Sequence, residues 1–123
     1  MSNMSDIPFT AINWDGVPET QHKGETGTAI WKTIQFPGLR MRLVRYSKGY
    51  RADHWCRLGH IVHCLEGEFL SELRDGRTVR LTKGSTYIVS DDLSEHRSAT
   101  ETGVDLLIID GDFLSSNANS TSR

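Results

Sequence analysis

Turn signals recur through this chain at short intervals, and they constrain its fold more than any other feature. Pro37-Gly38, Lys48-Gly49, Glu66-Gly67, Asp75-Gly76 and Lys83-Gly84 break the sequence into runs of roughly eight to twelve residues, a rhythm suited to strands and too tight for helices. Segment 28–36 reads as a strand. Segment 39–43 alternates apolar and basic residues, as a half-buried strand should. Val44-Arg45-Tyr46 resumes the alternation with opposite parity, so a bulge or bend is expected there. Asp75-Gly76 sits between two alternating runs and predicts a hairpin. Segments 86–90 and 96–100 read as short strands, and 104–109, apolar except for Asp105, suits a strand buried on both faces. No segment has helical periodicity. About eight short strands joined by tight turns imply an all-β sandwich or barrel.

The chain's 123 residues suffice for one domain with an ordinary core. Residues 28–113 form the predicted barrel. Residues 1–27 are expected to be an N-terminal arm, with Phe9, Ile12, Trp14 and Val17 packing on the domain without regular structure. Residues 114–123, small and polar, are expected to be a disordered tail. A net charge of −2 with both signs interspersed offers no basic stripe for a phosphate backbone, so nucleic acid is not an expected partner. No apolar run approaches the roughly 18 residues that span a bilayer, and no secretory signal is evident at the N-terminus. A cytoplasmic location with no membrane partner is therefore expected, where Cys56 and Cys64 would be reduced.

The chemistry concentrates in 53–67, where His54, Cys56 and His60 stand at the start of a predicted strand. Side chains two and four apart on a strand share a face. His54 and Cys56 do so by parity, and His60 joins them if the strand continues or if Arg57-Leu58-Gly59 returns the chain alongside. Imidazole and thiolate favour zinc or another borderline-soft transition ion over magnesium or calcium. His96, opening a strand after a polar loop, is the natural fourth ligand. Cys56 could instead be a reactive thiol, but no third orienting residue can be named. His22 and His63 lack ligand spacing and are expected at the surface, and Cys64 is expected to act as a small hydrophobe. Asp53, Trp55 and Arg57 have the opposite parity. Trp55 is expected under the arm or in a dimer contact, and Arg74, Arg77 and Arg80 along a solvated edge.

These residues resemble the cupin superfamily. Its first motif runs from a glycine through His-x-His and a Glu to a closing glycine. Here Gly49 precedes His54-x-Cys56-x-x-x-His60, and Gly67 takes the closing position. Its second motif is similar to Gly84, the Asp91-Asp92 loop and His96, with Thr100 where an Asn is usual. Cys56 stands for the second His and His60 for the Glu. Asp53-His54-Trp55-Cys56 matches, in content though not in order, the motif that names the small DHCW-motif cupins. The resemblance implies a double-stranded β-helix (a jelly-roll barrel) with a site inside its mouth, and frequent homodimers. It implies no single reaction.

Two functions follow as expectations. One is a small metal-binding cupin, zinc or else iron, that acts on or binds a small molecule through His54, Cys56, His60 and His96. The other is a non-enzymatic module that binds a ligand or senses metal or redox state through Cys56.

Overall fold

The computed structural model describes residues 6–115. Eight strands follow one another: β1 (Glu19–Lys23), β2 (Thr28–Phe36), β3 (Leu39–Tyr46), β4 (His60–Leu73), β5 (Thr78–Thr82), β6 (Thr86–Val89), β7 (His96–Ala99) and β8 (Val104–Gly111). All pairings are antiparallel, in the order β1-β2-β3-β8-β4-β5, with β6 and β7 also paired to β4. The architecture is all-β, as the turn spacing predicts, and is the jelly roll that the cupin resemblance implies.

β4 holds the two halves together. Its first part pairs with β6 and β8, and its second part with β5 and β7. The register shifts between Cys64 and Glu66, and Gly67 adopts φ +84°, a left-handed conformation that glycine reaches without steric cost. This bulge swaps the parity of the strand. Before it His60, Val62 and Cys64 point inward; after it Phe69 and Ser71 do. A straight strand would hold its two ends far apart. Folded here, β4 brings its first residue back to the β7 residue that pairs with its last.

The core comprises Ala29, Val44, Tyr46, Tyr50, Val62, Cys64, Phe69, Leu81, Val104, Leu106 and Ile108. Tyr46 stacks on Tyr50 with ring centroids 4.1 Å apart. β3 departs from the expected bend. Its register runs unbroken against both β2 and β8, so Arg40 and Arg42 lie on the same inward face as Val44 and Tyr46. Their partner is Asp110, the residue of β8 paired directly with Arg40. Polar satisfaction inside overrode the simple alternation rule.

The arm is more ordered than its sequence suggests. Residues 19–23 form an edge strand on β2, and Trp14–Gly16 make a 3₁₀ turn in which the Asn13 side chain accepts from the Asp15 amide at 3.1 Å. Lys32 Nζ donates to the Trp14 carbonyl at 3.0 Å, anchoring the arm. At the other end Leu114 is buried; the remainder of the expected tail, 116–123, lies outside the described residues.

Candidate metal centre

Cys56 and His96 are direct cross-strand partners. The Cys56 amide donates to the His96 carbonyl at 2.8 Å, and the His96 amide donates to the Cys56 carbonyl at 3.0 Å. Residues paired this way send their side chains to the same face of the sheet. His60 arrives from the opposite sheet. Gly59, just before it, passes so close to the backbone of Val89 and Ser90 that a Cβ would collide there, and its amide donates to Asp91 Oδ1 at 2.6 Å. Small size and this anchor set where β4 begins.

The result is a group of ligand atoms from Cys56, His60 and His96, all within 4.8 Å of one another. His60 Nδ1 and His96 Nε2 are 3.3 Å apart. Two imidazole nitrogens on one tetrahedral zinc, each about 2.0–2.1 Å from it, stand at about that separation. The remaining nitrogen of each ring also has an oxygen near it. His60 Nε2 lies 3.5 Å from Asp110 Oδ2, and His96 Nδ1 lies 3.0 Å from Ser94 Oγ. A histidine with one nitrogen facing an oxygen and the other aimed at shared space has the orientation of a metal ligand. Burial lowers the pKa of both histidines, and Arg42 lowers that of His60 further. Both rings are therefore neutral near pH 7, with a lone pair free to coordinate. The three residues fit a divalent transition ion.

His54 does not join them. Ala52 to Trp55 forms a bend rather than the strand assumed from parity, so the side chain projects outward, 74% exposed, with Nδ1 2.7 Å from Asp53 Oδ1. That contact holds the Asp53 carboxyl below its usual range. Cys64 is fully buried in the core, and both cysteines are free thiols. His63 faces outward to Thr86 Oγ1 at 2.7 Å. His22 lies against Trp31, ring centroids 3.9 Å apart. Trp55 is clasped by two guanidiniums, Arg97 at 4.4 Å and Arg74 at 4.9 Å from its ring centroid. Arg74, Arg77 and Arg80 are exposed, each paired with a carboxylate.

Sequence reasoning missed the polar layer behind the metal group. Asp110, only 2% exposed, receives Arg40 Nε and Nη2 at 3.1 and 2.9 Å and Arg42 Nη2 at 3.3 Å. The signal was parity: Asp110 follows Leu106 and Ile108 on one face of β8. Tyr87 reaches the site from β6, its ring 6.2 Å from that of His96. Together with Ser71, Ser94 and Val89 it lines a cleft of about 250 Å³ open to His96.

No protein-family model matches the sequence, and no curated protein matches it. Solved structures do. The Clostridium difficile EutQ protein is similar with a TM-score of 0.70 at 15% identity, over 87% of this chain and 90% of that one. An RmlC-like cupin from Shewanella frigidimarina gives 0.67 at 18% identity, over 94% and 98%. Ectoine synthase from P. lautus gives 0.63 at 16% identity, over 84% and 78%. At such identities the likeness speaks to backbone architecture alone, and on that evidence the chain has the cupin fold.

Proposed function

We propose that this protein is a metal-dependent cupin, holding one divalent transition ion on Cys56, His60 and His96 and acting on a small molecule in the barrel mouth. One observation carries the reading: two neutral imidazoles point nitrogens at each other across 3.3 Å, with Ser94 Oγ hydrogen-bonded to the outer nitrogen of one and Asp110 Oδ2 3.5 Å from that of the other. Without an ion, two lone pairs at that distance gain nothing unless one ring carries a proton between them. The mixed nitrogen and sulfur donor set favours zinc, with iron the alternative.

A bound ion would supply Lewis acidity and a coordination position for water or substrate. The chain's own residues do the remainder. Asp110, 3.5 Å from His60 Nε2, favours a proton on that nitrogen, and Ser94 orients His96. Tyr87 and Val89 wall the cleft beside His96. With His54 outside the group, three protein ligands leave a position for exchange, which favours action on a substrate over a closed structural or sensing site.

A cytoplasmic setting suits both free thiols. A homodimer is part of the same proposal, supported by an apolar row on the outer face of the larger sheet. Ile88, Ile61, Ile109, Met41 and Ile34 are successive cross-strand neighbours, and Ile88 is 66% exposed.

Elemental analysis of protein purified without a histidine tag tests the metal. One equivalent of zinc or iron per chain is expected, and a cobalt-substituted sample should change its absorption when azide is added. Metal-free protein that takes up no zinc at micromolar concentration refutes the proposal.

A further inference from the structure

Beside the metal group, two buried donors are left over. Arg42 is 6% exposed; its Nη2 reaches Asp110, but its Nε has no hydrogen-bond partner, and neither has the shielded Nε1 of Trp31. The two belong together, because the Arg42 guanidinium lies over the Trp31 ring, 4.5 Å from its centroid. Both side chains come from the inward faces of neighbouring strands, β2 and β3. A buried N–H left unpaired costs stability comparable to a lost hydrogen bond, so two in one stack mark a place built for an acceptor.

Charge says what kind of acceptor. Arg40 and Arg42 share the single carboxylate of Asp110, so these three side chains together carry one net positive charge. A divalent ion with one thiolate would add another. Burial and the neighbouring Arg40 both push the Arg42 pKa down, the mark of a cation lacking sufficient counter-charge. Water could fill the hydrogen bonds but not the charge. A neutral amide would bring donors of its own into a site already rich in them. A phosphate would bring a third oxygen that these two donors do not meet.

We propose that the barrel binds a small carboxylic acid, its two oxygens received by Arg42 Nε and Trp31 Nε1 and its remainder directed toward Cys56, His60 and His96. The inference deepens the metal reading by naming the substrate class, yet the carboxylate contact itself requires no ion. A cavity of about 390 Å³ lies beside Arg40 and Asp110, walled by Leu39 and Leu58.

The test follows the indole N–H signals of the protein's three tryptophans by NMR, with Trp31→Phe assigning that of Trp31. Propionate is titrated into zinc-free and zinc-loaded protein at constant ionic strength, with propionamide and inorganic phosphate as comparators. Zinc content is measured on the same samples. Expected is a saturable shift of the Trp31 signal with propionate and none with propionamide, weakened about tenfold or more by Arg42→Lys, which keeps the charge and loses Nε. A Trp31 signal unmoved by propionate, moved equally by propionamide, or moved by phosphate at lower concentration overturns the inference. Should Arg42→Lys fail to fold, the wild-type comparison of acid with amide decides alone. Propionate binding in protein that takes no zinc would uphold this inference while the metal proposal falls; zinc binding without a propionate response would do the reverse.

Discussion

Cys56 and His96 exchange both of their backbone hydrogen bonds, so the sheet itself sets a thiol beside an imidazole before any ligand arrives. The geometry of two of the three donors is thus a property of strand pairing, and only His60 depends on how the second sheet closes over them.

That distinction orders the ligand variants. Cys56→Ser, His60→Gln and His96→Gln each remove a donor while leaving the backbone pairing intact. Each should weaken zinc binding by more than the roughly 10–100-fold typical of losing an outer-sphere partner. His54→Ala should leave zinc affinity unchanged, because His54 is exposed and engaged with Asp53. Competition with a chromophoric chelator measures all four. A His54→Ala protein that loses zinc would return His54 to the ligand set.

Asp110→Asn separates stability from metal affinity. The carboxylate is the counter-charge of buried Arg42 and lies 3.5 Å from His60 Nε2. Removing one partner of a buried ion pair costs about 3–5 kcal/mol, and Arg40, 30% exposed at its side chain, retains some solvent to soften the loss. Urea unfolding of the metal-free variant should show a midpoint well below that of wild type, and zinc affinity should fall about 10–100-fold. An unchanged midpoint would mean the cluster contributes no net stability.

The sequence made the barrel legible because its turns are chemically explicit: Asp75-Gly76 and Lys83-Gly84 bracket β5 just as read. His60 and His96 each open a strand, as their positions in the sequence suggest, while Cys56 meets them through a single bridge to His96. His54 does not join them, because parity holds only where the chain is extended, and 52–55 bends. Arg40 and Arg42 were misjudged since a basic residue in an alternating run is ordinarily taken as solvent-facing. Only the pairing of β3 with β8, distant in sequence, shows that Asp110 waits opposite. Long-range pairs of buried charge leave no local signature, whereas turns do.

Acid should destabilise the metal-free protein through His60 and His96. Burial depresses both folded-state values, while the unfolded chain takes up protons near the ordinary histidine value of about 6.5. The unfolded state therefore binds more protons between these limits, and stability rises with pH there. The contribution is fully present above about pH 6.5 and is lost progressively as pH falls toward the folded-state values, at no more than about 1.4 kcal/mol per pH unit for each histidine. Urea midpoints at pH 7.5 and 5.5 report this directly. His96→Gln should shrink the difference; an identical difference in the variant would assign the acid sensitivity to other groups.

Association through the outer sheet face makes the last prediction. Ile88, Ile61, Ile109, Met41 and Ile34 form one apolar row across β6, β4, β8, β3 and β2, flanked by Leu107 and Leu43 on the next row. A row of this kind on one face can meet its own copy about a two-fold axis, each protomer covering the other's isoleucines. Sedimentation equilibrium at micromolar concentration should give twice the chain mass of 13.8 kDa. Ile88→Glu adds a charge at a position already 66% exposed, so folding tolerates it, whereas a dry contact with a second copy does not. The variant should sediment as a monomer with an unchanged unfolding curve at concentrations where wild type is already monomeric. Wild type that remains monomeric at 100-fold higher concentration, with Ile88→Glu indistinguishable from it, would remove the outer face as an interface.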